Sequence, residues 1–187
     1  IVCNQACLDH IFNGQLTSCL VNPRACHELE LQVAPATAVK KFAVVGAGPA
    51  GLAFAVTAAE RGHHVTLFDA AAEIGGQFNL AKRIPGKEEF NETLRYFRVR
   101  LQQLGVTLCM NQRVDVAVLN GGDFDEIILA TGIAPRTPAI PGIDEGIAQG
   151  RVLRYVDVIA GRASVGKSVA IIGAGGIGFD VAEFLSH

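Results

Sequence analysis

Read for the alternation of apolar and polar positions, the chain stays irregular over its first stretch and becomes periodic at Lys41. From Ile1 to Val39 it is polar and cysteine-bearing, with no sustained helical or alternating pattern, and it closes on Val33-Ala34-Pro35-Ala36-Thr37-Ala38, which reads as an arm and linker. Lys41-Phe42-Ala43-Val44-Val45 is then a short apolar run ending at Gly46, Ala50 to Arg61 is rich in helix-forming alanine before a stop at Gly62, and His64 to Asp69 is a second apolar run. Strand, helix and strand in roughly thirty residues make a βαβ unit. Such a unit requires a parallel sheet with helices on its faces, so the predicted fold class is α/β, Rossmann-like.

Further along, Phe90, Leu94, Phe97, Leu101 and Leu104 recur at spacings of three and four, predicting a covering helix over Glu88 to Leu104. Two β-like runs follow at Val106 to Met110 and Arg113 to Leu119. Glu126-Ile127-Ile128-Leu129-Ala130 reads as a fully buried strand ending at Thr131-Gly132, and Pro135, Pro138 and Pro141 mark a linker. Beyond it the pattern predicts a short helix at Tyr155 to Gly161, a strand at Ser168 to Ile172 and a helix at Gly176 to Leu185. The strand and helix around Gly173 repeat those around Gly46. The division this predicts is an arm over 1–39, a first nucleotide-binding unit over 40–150 and the beginning of a second over 151–187.

Composition narrows the function classes. Half of the 187 residues are hydrophobic and 18% are charged, which excludes a disordered tail. The formal charge is −2 and the longest basic run is Lys40-Lys41, so neither nucleic acid nor an anionic membrane is an expected partner. Phe42 to Ala59 carries no charged residue and imitates a membrane span, but Gly46, Gly48, Pro49 and Gly51 punctuate its centre. Ile1-Val2-Cys3 resembles neither a signal peptide nor a natural start, so the chain is expected to be a piece of something larger, in a cytoplasmic setting.

Gly46-Ala47-Gly48-Pro49-Ala50-Gly51 fits Gly-x-Gly-x-x-Gly, whose glycines provide a tight turn, close backbone approach to a pyrophosphate and close helix–strand packing. It follows a predicted strand and opens a predicted helix, and Asp69 ends the next strand near the spacing of about 20 residues at which a carboxylate bonds ribose hydroxyls. A second motif, Gly173-Ala174-Gly175-Gly176-Ile177-Gly178, follows Val169-Ala170-Ile171-Ile172 and opens the last helix. No strand follows it within the chain to supply either an acid for a 2′-hydroxyl or an arginine for a 2′-phosphate. The histidines are scattered and no nucleophile arrangement is recognisable, so no residue is assigned a catalytic role.

Two such fingerprints with Ala130-Thr131-Gly132 between them resemble the flavoproteins that carry two dinucleotide-binding domains. That resemblance covers Lys41 to His187. It implies FAD at the first motif, Thr131 and Gly132 passing the flavin, and NADPH at Gly173, Gly175 and Gly178. Gly75-Gly76-Gln77 also matches, implying that Gln77 lies against the cofactor, and Lys87 and Val114 fall where that family makes further FAD contacts.

Of five cysteines, Cys3, Cys7, Cys19 and Cys26 cluster in the arm, while Cys109 reads as a small buried hydrophobe. Clustering without a secretory signal points to metal rather than disulfides, and only Cys3 with Cys7 could form a zinc knuckle; zinc and uncommitted thiols both remain open on spacing. Cys3, Cys7 and Cys19 resemble the last three ligands of the 4Fe–4S centre in the old yellow enzyme-like iron–sulfur flavoproteins, whose first ligand would precede Ile1. Cys3-Asn4-Gln5-Ala6-Cys7-Leu8-Asp9 and Val21-Asn22-Pro23-Arg24-Ala25-Cys26-His27-Glu28 also look like that family, and Cys26 is not one of its usual ligands. Within it the chain is most similar to the NADPH-dependent 2,4-dienoyl-CoA reductases. The resemblance implies an oxidoreductase passing electrons from NADPH through FAD and the cluster to FMN in a separate barrel, where an enoyl-CoA substrate is reduced. Flavin stands in the middle because nicotinamide gives two electrons as hydride and a cluster accepts one at a time. An amine dehydrogenase of the trimethylamine dehydrogenase type and a free-standing FAD-binding module are the rival readings.

Overall fold

A computed structural model describes residues 6–19 and 21–187, so Cys3 lies outside the described residues. Along them run α1 (Ala6–Phe12), β1 (Lys41–Val45), α2 (Pro49–Glu60), β2 (His64–Phe68), α3 (Phe78–Ala81), α4 (Phe90–Gln103), β3 (Thr107–Cys109), α5 (Val116–Gly121), β4 (Glu126–Leu129), α6 (Ile143–Ala148), α7 (Tyr155–Ile159) and α8 (Gly176–Ser186). The four strands form one parallel sheet in the order β3-β2-β1-β4, which is the predicted α/β class.

Local chemistry explains the central unit. Gly48 and Pro49 open α2, proline being suited to a first turn where its missing N–H costs no hydrogen bond. Gly62 at φ +92° ends it, with its N–H donated to the Ala59 carbonyl at 2.9 Å. The register pairs Val44 with Leu67 on one side and Ile128 on the other, so one row of side chains crosses three strands. That face packs under α2 and α4, with Leu52, Leu67, Leu94 and Leu101 in one apolar cluster. The predicted stripe on α4 holds, since Phe97 and Leu104 border this cluster and Phe90 stacks on Phe78 at 4.8 Å. No helix among the described residues is long and apolar enough to cross a membrane; the uncharged stretch from Phe42 to Ala59 is β1, a glycine turn and α2.

Four expectations change. The arm contains α1, which buries no residue and so leaves no core-facing stripe to read; its end is closed by the Gln15 N–H on the His10 carbonyl at 2.8 Å. The run Arg113 to Leu119 is no strand: Asp115 accepts the Val118 N–H at 2.9 Å and caps α5, so a polar cap outweighs the β preference of Val114, Val116 and Val118. Strand β4 is not fully buried, because it is the sheet edge and its second face stays open, with Ile127 40% and Leu129 72% exposed. Ser168 to Ile172 forms no strand, since a strand exists through its ladder and none of the described strands lies beside this segment.

Candidate nucleotide site

The carboxyl ends of β1, β2 and β4 meet at one edge of the sheet, where Gly46, Asp69 and Ala130 each follow directly on a strand. Gly46 donates its N–H to the Phe68 carbonyl at 2.8 Å, and Ala130 donates its own to the Val45 carbonyl at 2.8 Å. Gly46 sits at φ +110°, in the region that disfavours side chains, and a Cβ there would overlap the carbonyl of Ala130. A Cβ on Gly51 would overlap the carbonyl of Gly46. The outer glycines of the motif therefore allow the turn to close on itself and on Ala130.

Asp69 is bound into this turn. Its Oδ2 accepts the Ala47 N–H at 2.6 Å and its Oδ1 accepts the Ala71 N–H at 2.7 Å. A carboxylate offers about four lone-pair sites, so two remain for other donors. Across from it, Gly75 donates to the Ala47 carbonyl at 2.8 Å, and Gly76, at φ +52°, lies so near the turn that a Cβ on it would stand 2.9 Å from the Gly48 Cα. Gln77 follows, exposed at the start of α3, and Thr131 and Gly132 are exposed just beyond Ala130. No side chain caps α2, and its first-turn amides at Ala50 and Gly51 have no intrahelical acceptor. The edge thus combines open amides, the positive end of a helix and a carboxylate, a set matched to a pyrophosphate and a ribose.

The structure brings together Gly46, Ala47, Gly48, Pro49, Ala50, Gly51, Asp69, Thr131 and Gly132, with Gln77 one residue from the Gly48–Gly76 contact. Val114 lies half-buried in the connection before α5. Lys87 lies in the connection between α3 and α4, its Nζ 2.6 and 2.7 Å from the two oxygens of Asp180 in α8. Gly173, Gly175 and Gly178 form a second turn with the backbone of the first: Gly173 has φ +117°, and a Cβ on Gly178 would overlap the Gly173 carbonyl. Cys7 and Cys19 are half-buried in the arm, where the Thr17 hydroxyl donates to the Cys7 carbonyl at 3.2 Å; among the described residues no three metal-ligating side chains gather. Ala130 and Gly76 fall inside motifs legible in the sequence, but their packing against Gly46 and Gly48 is not carried by those motifs.

Charged groups cluster at the opposite end of the sheet. Hydrogen bonds from Lys40 to Glu126 and from Lys41 to Asp123 hold both ammonium groups above their ordinary range and clamp β4 to β1. Among the described residues the turn end carries no such clamp, and its two strands are joined there by backbone hydrogen bonds and close packing.

The chain is similar to several known proteins. The metal reductase of Desulforamulus reducens is 39% identical over 191 residues, covering 100% of this chain and 28% of that protein. The N,N-dimethylglycine/sarcosine dehydrogenase of Chromohalobacter salexigens is 36% identical over 171 residues, covering 88% of this chain and 25% of that protein. A 2-naphthoyl-CoA reductase in complex with 2-naphthoyl-CoA superposes with a TM-score of 0.92 at 34% identity, over 98% of this chain and 28% of that one. The chain thus spans about a quarter of these relatives' length. Because residues 40–187, which include both glycine turns, match its sequence pattern, the chain belongs to the pyridine nucleotide-disulphide oxidoreductase family.

Proposed function

We propose that Gly46–Gly51, Asp69, Gln77, Thr131 and Gly132 hold an FAD, that Gly173, Gly175 and Gly178 begin a site for NADPH, and that the whole protein is an iron–sulfur flavoprotein reductase of the 2,4-dienoyl-CoA reductase type. The carrying observation is the position of Asp69, tied to the Ala47 amide at 2.6 Å at the end of β2 with lone pairs to spare. Open amides at Ala50 and Gly51 face a pyrophosphate, Asp69 takes ribose hydroxyls, and the missing side chain of Gly48 lets phosphate oxygens approach the backbone. FAD, when bound, supplies the conversion of a hydride into single electrons. Cys7 and Cys19, with Cys3, are the chain's candidates for holding a 4Fe–4S cluster in the arm, and FMN and the enoyl-CoA thioester belong to parts beyond the stretch that matches. The division into an arm over 1–39 and nucleotide units over 40–150 and 151–187 is part of the same proposal.

The likeness to a reductase of an acyl-CoA thioester favours a CoA substrate. The likeness to an amine-oxidising dehydrogenase keeps an amine dehydrogenase as the second reading, and the intact glycine turn at Gly173 favours the reductase. Titrating the flavin-free chain with FAD, followed by flavin fluorescence, tests the site: saturable one-to-one binding is the expected result, and no binding removes the FAD assignment. Turnover by the full-length protein separates the chemistries. NADPH oxidation coupled to a 2,4-dienoyl-CoA supports the reductase, whereas flavin reduction by a secondary or tertiary amine with no response to NADPH overturns it.

A further inference from the structure

We propose that Lys87 is a positioning residue for the second glycine turn: by gripping both carboxylate oxygens of Asp180 it fixes α8, and with it the turn that opens α8, against the first nucleotide unit. The distances of 2.6 and 2.7 Å describe an ammonium bridging a carboxylate, and both side chains are partly screened from solvent, at 39% and 32% exposure. The bond joins two segments far apart in sequence, Pro85-Gly86-Lys87 and the helix after Gly173–Gly178.

Two further contacts converge on the same place. Ile84, Ile159 and Val181 form an apolar cluster bordered by Leu80, Tyr155 and Phe184, so the segment after α3 packs at once on α7 and α8. Arg83 donates from Nη1 to the Ile159 carbonyl at 3.1 Å, at the end of α7. Apolar contact is non-directional and would let a helix slide or turn on its neighbour, while a bridged carboxylate and a guanidinium bond set its register. The other end of this segment is Gly75-Gly76, which packs on the first turn. One short stretch, Gly75 to Lys87, therefore touches the first glycine turn and holds the helix of the second. Lys87 acts on the second turn through Asp180.

The purpose of this latch rests on reading Gly173–Gly178 as a nicotinamide nucleotide turn, but its existence does not. Hydrogen exchange on the nucleotide-free chain tests it, with peptides from α8 as the readout and peptides from β1 and β2 as the control. Lys87→Met is expected to speed exchange in α8 roughly fivefold, the upper range for a partly exposed pair, and to leave β1 and β2 unchanged. Lys87→Arg, and the double exchange Lys87→Asp with Asp180→Lys, should restore slow exchange. Raising salt should bring the unaltered protein toward the Lys87→Met value without affecting Lys87→Met itself. Equal α8 exchange with and without Lys87, or acceleration spread evenly over α8, β1 and β2, overturns the proposal. Failure of the nucleotide reading would appear separately, as a full-length protein that shows no response to NADPH.

Discussion

The turns at Gly46 and Gly173 have one backbone and two surroundings. Their first glycines lie at φ +110° and +117°, and the helix-capping glycines, Gly48 and Gly175, at −77° and −85°. The first full helical bond repeats as well, from Leu52 to Gly48 at 2.9 Å and from Phe179 to Gly175 at 3.2 Å. Around Gly46, β2, Ala130 and Gly76 close in, whereas a Cβ on Gly173 would meet no atom within 4 Å. The shape of such a turn is therefore a local property of glycine spacing. Its confinement comes from the rest of the sheet, and confinement is what aims a turn at a ligand held between several strand ends.

Substitution of the first glycine in each turn should separate the two most sharply. Gly46→Ala meets both a left-handed backbone and the Ala130 carbonyl, so the chain should fail to fold or lose more than about 4 kcal/mol in denaturant unfolding. Gly173→Ala meets only the backbone penalty, about 1 to 3 kcal/mol, taken up locally within the second turn. Equal losses would show that the neighbours of Gly46 contribute nothing. Amide exchange gives the next contrast. Phe42 to Val45 should be protected close to the global limit, slowed by roughly a thousandfold or more, while Val169 to Ile172, without a ladder, should exchange nearly as in a free peptide. Strong protection of Val169 to Ile172 would mean that a strand forms there in solution.

Asp69→Ala should weaken FAD by roughly tenfold to a hundredfold through loss of a charge-assisted hydrogen bond of about 1.5 to 3 kcal/mol. Because the carboxylate also receives the Ala47 and Ala71 amides, the change should lower stability of the ligand-free chain too, by about 2 kcal/mol. Asp69→Asn should not restore either property, since its NH2 group cannot accept the second amide. A variant that weakens FAD but unfolds like the original would show that the turn holds its shape without Asp69.

The smallest effect is one of pH, at α7. A hydrogen bond from Arg162, aided by the charge of Arg154 and opposed by desolvation, holds the Asp157 carboxyl below its ordinary range. A lowered folded value means that Asp157 stabilises the fold fully above the ordinary carboxylate range and loses that contribution as pH falls through the lowered value. Acidification should therefore loosen α7 below about pH 4. Asp157→Asn should remove that response while β1 and β2 keep theirs, and exchange in α7 against pH reads the difference. An unchanged acid response in Asp157→Asn would assign the loosening to other carboxylates.

What the residues determined alone was everything held by local geometry: both glycine turns, the stop of α2 at Gly62, the stripe that buries α4, and the acid at the end of β2. Each depends on a backbone angle or on the fixed period of a helix, and both can be read over a few neighbouring positions. Tertiary structure decided the rest. The run at Ser168–Ile172 has the composition of a strand and remains without one because a ladder needs a partner. Ile127 and Leu129 look like core residues and are exposed because β4 is an edge. Lys87 bridges Asp180, a residue 93 positions away, because only the folded chain brings the Pro85–Lys87 loop to α8. Pairing, edges and long-range charge contacts depend on which segments meet, and no local pattern carries that information.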